Sequence, residues 1–224
     1  ADIMTPSVTA PGVSIYAAYN DQDFGNDVTA TSPADFAFLQ GTSMSAPHTS
    51  GAGAVLKSAH PTWTPDNIRS ALMMTATTDV RKEDGITPAD VFDMGSGSIR
   101  VNLATNTGLI MDETFGNYMK ANPATGGVPL SLNIPSMTNT QCIDTCTWTR
   151  TFTATKDANW TAASISTSDS MSLTVSPTSF DIKAGETQTI TVTADVSTSE
   201  ADKWNFGSLL LTSAGLPDAH LPIS

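Results

Sequence analysis

Hydrophobic and polar residues follow two different periods along this chain of 224 residues. Up to about residue 120, short β-prone runs alternate with segments of helical period, and residues 44–59 and 65–77 are predicted to form helices. The second helix carries its own start signal, with Thr64 as the N-cap and Pro65 at the first helical position. Mixed strand and helix signals of this kind indicate an α/β fold.

From about residue 129 the apolar residues recur at every second position, which is the period of a half-buried β-strand. In TWTRTFTAT, the side chains of Trp148, Phe152 and Ala154 share one face, and threonines line the other. The segment TQTITVTADV alternates in the same way. Further strands are predicted at residues 160–165, 171–175 and 206–211. Short strands at this spacing are typical of an all-β sandwich.

The change of period also predicts the domain organisation. Between the two patterns lies KANPATGGVP, residues 120–129, whose proline and glycine content is typical of a linker. We therefore predict an α/β unit at residues 1–122, a linker at 123–129 and a sandwich at 130–224.

Composition excludes two classes of partner. Ten Lys+Arg against 22 Asp+Glu give a formal net charge of −12, and a nucleic-acid partner requires a basic surface instead. No run approaches about 18 apolar residues, so no membrane-spanning segment is predicted. The first residues show neither the basic nor the apolar region of a signal peptide and do not begin with Met. We expect the chain to start inside a longer domain.

The two cysteines, Cys142 and Cys146, leave two alternatives open. In an extended strand their Cα atoms would lie about 13 Å apart, which is too far for a disulfide. A turn through residues 143–145 would bring them together and form a small disulfide loop, which would indicate an oxidising compartment. Otherwise both are free thiols, because no nearby histidine or third cysteine suggests a zinc site.

Ser43 stands at the start of the first predicted helix and is therefore either its N-cap or a nucleophile. Gly41 permits a sharp turn that would expose the hydroxyl. The amide groups and dipole at a helix N-terminus favour negative charge, as an oxyanion formed at this serine would require. Gly51 and Gly53 each cost up to about 1 kcal/mol inside a helix, which suggests close packing of this helix against other backbone.

The segment GTSMSAPHTSGAGAVLKSAHP closely resembles the nucleophile segment of the subtilisin-like serine peptidases (subtilases), whose serine matches Ser43. Thr49 stands where this family usually has Val. Downstream, FDMGSGSIRVNLATNTGLIMD is similar to a segment of the plant-type branch that contains a protease-associated domain, although Ser98 replaces a frequent His. LSLNIPS resembles the entry to the fibronectin-III-like sandwich that follows the catalytic domain in that branch.

This resemblance implies the C-terminal part of a subtilase catalytic domain followed by a fibronectin-III-like sandwich. It implies a secreted serine endopeptidase that hydrolyses protein or peptide substrates by acyl transfer. Ser43 would be the nucleophile, and its backbone amide would contribute to the oxyanion hole. Gly41 and Thr42 would border the substrate cleft. No organic cofactor is required, and calcium is frequent in the family.

The general base that such a serine needs is not found among the histidines of the chain, which are His48, His60 and His220. His48 lies five residues along the helix and points about 140° away from Ser43, and His60 follows the far end of the helix. We expect the base His, the orienting Asp and the oxyanion-hole Asn to lie upstream, in a partner segment of the same catalytic domain. The chain alone is then predicted to be inactive. The alternative is a non-catalytic binding or structural module that keeps a peptidase remnant.

Other motifs leave alternatives open. NDQDFGND holds three carboxylates that suit calcium, but Gly25 and Ser32 occupy two ligand positions of an EF-hand, which favours a solvated loop; the carboxylates are Asp21, Asp23 and Asp27. NWT at residues 159–161 is a glycosylation sequon within a predicted strand. Three tryptophans of the sandwich are expected in its core or on a ligand face: Trp148, Trp160 and Trp204. Two aspartates are interpreted as turn or capping residues, Asp93 and Asp112.

Overall fold

A computed structural model of the protein describes residues 2–19 and 36–224. Its first part holds a two-stranded antiparallel sheet and five helices. The strands are β1 (Ile15–Ala18) and β2 (Phe36–Leu39). The helices are α1 (Thr42–Ala59), α2 (Pro65–Met74), α3 (Val91–Met94), α4 (Val101–Thr105) and α5 (Phe115–Lys120).

The two predicted helices are present, with small differences at their ends. Thr64 is the N-cap of α2, and a capping box links it to Asn67 in both directions. The prediction that this helix runs to residue 77 is wrong, because α2 ends at Met74. Beyond that point the backbone of Thr77 pairs with Ser98 in an antiparallel bridge, which is incompatible with helical hydrogen bonding.

The remaining strands form two antiparallel sheets. The first has the order β3-β4-β8-β6, and the second has the order β10-β9-β5-β7. The strands are β3 (Leu109–Ile110), β4 (Thr145–Ala154), β5 (Ala158–Ser166), β6 (Ser172–Ser176), β7 (Ser179–Ile182), β8 (Thr187–Asp195), β9 (Gly207–Thr212) and β10 (Ala219–Ile223).

Alternate residues of these strands build one core between the two sheets. In β4 the buried residues alternate with exposed or half-buried threonines, as the period of two predicts. Phe152, Trp160 and Ile190 are completely buried there. Met74 and Met111, which belong to the first part of the chain, are buried in the same apolar cluster. The sandwich therefore shares its core with the end of α2 and with β3.

The segment between the two parts contains short helical turns. Residues Pro123–Thr125 and Pro129–Ser131 form short 3-10 turns. Upstream of them, Leu109 of β3 pairs with Ala154 of β4, so a strand from before the predicted linker joins a sheet of the sandwich. The division at residues 122 and 130 stays a prediction.

Several expectations about the sandwich can be compared with the structure directly. Cys142 and Cys146 form a disulfide with Cα atoms 5.7 Å apart, so the disulfide alternative is confirmed. Trp148 and Trp160 are buried in the core. The prediction that Trp204 packs in the core is wrong. Trp204 is 47% exposed on a loop, where its ring makes an edge contact with Phe92 of α3.

Two features of the fold bear on the predicted fold class and on membranes. The sheets in residues 2–19 and 36–224 are all antiparallel, and parallel pairing is limited to isolated bridges such as that between Thr9 and Ser98. The α/β class of the first unit therefore stays a prediction. Among the described helices, none has the length and apolar character needed to cross a membrane.

Candidate active site

Ser43 is the second residue of α1, and its side chain is exposed. The N-cap position is occupied by Gly41, which has φ of 131°, a conformation open to glycine but strained for other residues. No side chain caps the helix. The alternative that Ser43 is the N-cap is therefore wrong. Across residues 2–19 and 36–224 its hydroxyl has no hydrogen-bond partner.

The first turn of α1 is electropositive. The amides of Met44 and Ser45 donate to the Gly41 carbonyl at 3.0 and 3.4 Å, while those of Thr42 and Ser43 precede the helical hydrogen-bond ladder. A helix of 18 residues adds its dipole to these amide groups. This end of the helix can therefore stabilise negative charge beside the Ser43 hydroxyl.

A neighbouring extended segment fixes the position of this turn. The Gly41 amide donates to the Gly12 carbonyl at 2.7 Å, and the Ser45 hydroxyl donates to the Ala10 carbonyl at 2.8 Å. A Cβ atom on Gly12 would lie 2.3 Å from the Ser45 hydroxyl oxygen and 2.9 Å from the Gly41 carbonyl oxygen, so a larger residue would displace both the hydroxyl and the turn. Sequence reasoning did not find these anchoring roles. The only sequence signal near these anchors was the Pro11-Gly12 pair, which was interpreted as a break between two β-prone runs.

Strands β1 and β2 form an exposed aromatic hairpin just before the turn at Gly41–Ser43. Tyr16 lies opposite Phe38 in the pairing of β1 with β2 and also stacks on Phe36. Tyr16 is 60% exposed and Phe38 is 69% exposed. On α1 itself, Val55 is also exposed. The region around Ser43 thus presents apolar surface that no described residue covers.

The three histidines are bonded elsewhere. His48 donates from Nδ1 to the Met44 carbonyl at 2.7 Å. His60 is the C-cap of α1, stacks on Trp63 and donates from Nε2 to the Thr105 carbonyl, which confirms its predicted place at the helix end. His220 lies on β10 and donates to the Ser96 carbonyl at 2.8 Å. Burial lowers the pKa of His220 below its usual value, against the opposing effect of the Ser96 carbonyl.

Of the two aspartates interpreted as turn or capping residues, Asp93 has that role, whereas Asp112 caps none of the described helices. Asp93 completes a capping box at the start of α3 by accepting from the Asp90 amide at 2.9 Å. That hydrogen bond, followed by the ion pair with Lys82, lowers the pKa of Asp93. Asp112 accepts from the Thr64 hydroxyl and from the Glu113 amide.

Two predicted ligand or modification sites stay predictions. The calcium segment at residues 20–27, with Asp21, Asp23 and Asp27, lies outside the described residues. Within the part of the chain that the structure describes, no cluster of three metal-ligating side chains occurs. In the sequon, Asn159 and Thr161 are exposed on the same face of β5, and the Asn159 amide donates to Asp181.

Comparison with known proteins agrees with this arrangement. A model of the subtilase family matches residues 2–117, and a model of the fibronectin type-III domain matches residues 131–224. The chain belongs to the subtilase family and carries a fibronectin-III-like domain. It has the C-terminal part of a subtilase, followed by this second domain.

The similar proteins with curated names are plant subtilisin-like proteases. Subtilisin-like protease Glyma18g48580 of Glycine max is 42% identical over 55% of this chain and 17% of its own length. From Arabidopsis thaliana, subtilisin-like protease SBT2.5 is 30% identical over 100% of this chain and 31% of its own length. Subtilisin-like protease SBT2.3 of the same plant is 30% identical over 93% of this chain and 28% of its own length. The chain spans less than a third of the length of these relatives.

Proposed function

We propose that this chain carries the nucleophile of a subtilisin-like serine endopeptidase and that Ser43 is that nucleophile. The observation that supports this most strongly is the exposed Ser43 hydroxyl at the second position of α1, with Gly41 rather than the serine at the cap. The family membership of residues 2–117 supports the same assignment.

The proposed reaction is acyl transfer from a peptide bond of a protein or peptide substrate. The Ser43 Oγ attacks the scissile carbonyl carbon, and a histidine base accepts the hydroxyl proton. The tetrahedral oxyanion receives a hydrogen bond from the Ser43 amide beside the positive end of the α1 dipole. The leaving amine takes the proton from the histidine, and water then hydrolyses the acyl-enzyme by the reverse use of the same groups.

The upstream part of the same catalytic domain would supply the remaining groups. These are the base His, the Asp that orients it and the oxyanion-hole Asn, because His48, His60 and His220 are all bonded away from Ser43. The much greater length of the relatives supports the existence of such a part. In this proposal the chain alone is inactive, and Gly41 and Thr42 border the substrate cleft.

The remaining parts of the proposal concern surroundings and cofactors. The parent protein is secreted, in agreement with the disulfide between Cys142 and Cys146. No organic cofactor takes part in the reaction, because serine, histidine and amide groups carry every step. Calcium would bind, if at all, at residues 20–27.

Hydrolysis of a chromogenic peptide by the longer protein tests the proposal. Ser43→Ala should lower kcat by at least about 10⁴-fold, because the acyl-enzyme can no longer form. Ser50→Ala is a matched control, since Ser50 is exposed on the same helix and, among residues 2–19 and 36–224, its hydroxyl bonds only the Ala46 carbonyl. Activity that survives Ser43→Ala would contradict Ser43 as the nucleophile, whereas a wild-type longer protein that hydrolyses no peptide would favour the non-catalytic module.

A further inference from the structure

We infer that His220, on the sandwich, is a positioning residue for the nucleophile turn at Gly41–Ser43; the inference rests on the proposed function of Ser43. The Nε2–H of His220 donates to the Ser96 carbonyl at 2.8 Å, and the backbone of Met74 also faces the imidazole. This hydrogen bond joins β10 to a glycine-rich loop of the subtilase part, residues 95–99.

The loop at residues 95–99 is paired with the extended segment at residues 7–9. The Ser96 amide donates to the Ser7 carbonyl at 3.0 Å. The Thr9 amide donates to the Gly97 carbonyl at 2.8 Å, and the Ile99 amide donates back to Thr9 at 3.0 Å. Three backbone hydrogen bonds therefore carry any displacement of the loop to this segment.

Close packing leaves the loop little freedom to move independently. A Cβ atom on Gly95 would lie 2.3 Å from the Pro6 carbonyl oxygen, and one on Gly97 would lie 2.2 Å from the Thr77 oxygen. Both glycines also have positive φ. The backbone of the loop is thus in contact with residues 6–7 on one side and with Thr77 on the other, and it should move with them as one unit.

The same extended segment continues directly to the nucleophile turn. One residue beyond Thr9, the Ala10 carbonyl accepts the Ser45 hydroxyl, and the Gly12 carbonyl accepts the Gly41 amide. A continuous set of hydrogen bonds thus runs from His220 through residues 96–97, 7–9 and 10–12 to the first turn of α1. The His220 imidazole holds the first member of this set, the Ser96 carbonyl, from strand β10 of the sandwich.

Loss of this support should alter catalysis more than substrate binding. The Ser43 hydroxyl and the amides around it must be placed within a fraction of an ångström for attack on a carbonyl. A small displacement of the segment at residues 10–12 would misplace them in the transition state. The substrate cleft, of which only one border lies in this turn, would keep most of its contacts.

Two amide substitutions of His220 in the longer protein distinguish positioning from packing. His220→Gln keeps an N–H at the reach of Nε2, whereas His220→Asn is one methylene shorter and cannot reach the Ser96 carbonyl. We expect Asn to lower kcat about tenfold with KM unchanged and Gln to restore kcat to within about threefold of wild type. We also expect Asn to speed hydrogen exchange of the Gly41 amide about tenfold.

A third variant controls for stability. The Thr155 hydroxyl donates to the Thr107 carbonyl at 2.6 Å, so Thr155→Val removes another side-chain bond between the two parts of the chain, at a place not connected to residues 7–12. It should lower Tm but leave kcat and Gly41 exchange unchanged. Kinetics and exchange are measured well below the lowest Tm of the set.

The outcomes separate the two proposals. Equal kcat and equal Gly41 exchange in His220→Asn and wild type would overturn the positioning role, as would equal losses in Asn and Gln or in Thr155→Val. If the wild-type protein hydrolyses no peptide, the proposed function fails. The exchange of the Gly41 amide then still decides whether His220 holds the turn.

Discussion

The sandwich and helix α1, which carries Ser43, differ sharply in how much apolar surface they bury. In β4, every second side chain lies in the core, and Phe152 is 0% exposed. In α1, only Ala52 and Leu56 are buried among 18 residues. The hairpin before it exposes aromatic rings, of which Phe38 is the most open.

This difference separates a closed core from a surface that stays open among the described residues. The sandwich, together with Met74 and Met111, encloses its own core between two sheets. The helix and hairpin around Ser43 instead have an apolar surface of the kind that another part of a protein covers. The comparison therefore supports an upstream part of the catalytic domain as the partner of this surface.

The largest expected effect on stability comes from truncating a phenylalanine to alanine, and the same change can be made in both regions. Phe152→Ala should lower the free energy of unfolding of the chain by about 3–5 kcal/mol, because it leaves a cavity in a closed core. Phe38→Ala should lower it by less than about 0.5 kcal/mol, because the ring is already in solvent. Urea denaturation of both variants measures the difference.

The longer protein sharpens this comparison. There we expect Phe38→Ala to cost more than about 2 kcal/mol, since the upstream part would bury the ring. A cost that stays below about 0.5 kcal/mol in the longer protein would show that the hairpin remains exposed. That result would contradict the role assigned to this surface.

The next effect concerns Arg150, a cation inside the sandwich part that is only 3% exposed. Its guanidinium donates to the carbonyls of Ile134, Ser136 and Thr149 at 2.8, 2.6 and 2.8 Å. Burial lowers the pKa of Arg150 to about 10, against the effect of Glu113, so it remains charged at neutral pH.

Arg150→Met should therefore destabilise the chain by about 2–4 kcal/mol, because two buried carbonyls and one partly buried carbonyl lose this donor. Arg150→Lys should restore little of this, since a single ammonium cannot reproduce the planar set of donors. Chemical denaturation provides the measurement. A Lys variant as stable as wild type would show that charge, rather than the geometry of the donors, holds residues 134–136.

A smaller effect is expected from the disulfide between Cys142 and Cys146. Their sequence separation is only 4, so the chain-entropy estimate for the closed loop is about 2 kcal/mol. The double substitution Cys142→Ser and Cys146→Ser should lower the urea midpoint accordingly. Reduction of the wild-type protein should give the same shift and should leave the double variant unchanged. No shift on reduction would mean that the turn is held by other contacts.

The smallest effect is the pH dependence that His220 contributes. Burial lowers its pKa in the folded protein below the ordinary value of 6.5, so the unfolded chain binds the proton more readily. Stability from this group is complete above about pH 6.5 and decreases as pH falls from 6.5 towards the folded pKa, by at most about 1.4 kcal/mol per pH unit.

Comparison with His220→Gln isolates this contribution from that of the carboxylates. The Gln variant should lose less stability than wild type between pH 6.5 and the folded pKa, and the two should show parallel pH dependence above about pH 7.5. Tm measured at half-unit steps of pH checks this. Identical curves would show that His220 titrates normally.

Local patterns predicted the elements that are long enough to show a period. Helix α1, the capped start of α2 at Thr64 and the alternating strands β4 and β8 are all present. Helices of four to six residues, such as α3, were not predicted because they hold too few turns to show a helical stripe.

The contacts that hold the candidate site could not be predicted from sequence in the same way. Ser43 was identified by its motif, but its anchors at Ala10 and Gly12 are backbone carbonyls, which no side-chain pattern reveals. Trp204 lies partly exposed on a loop against Phe92, more than a hundred residues away. Such long-range pairs are determined by the tertiary fold and leave no local signal.

Labelling of Ser43 with a fluorophosphonate tests the central claim most directly, because the reagent reports an activated serine without a chosen substrate. The chain alone and the longer protein are treated in parallel, and mass spectrometry locates the adduct. We predict labelling at Ser43 in the longer protein, its loss in Ser43→Ala, and no labelling of the chain alone. Labelling of the chain alone would show that its base lies within these residues, and no labelling of either protein would contradict Ser43 as the nucleophile.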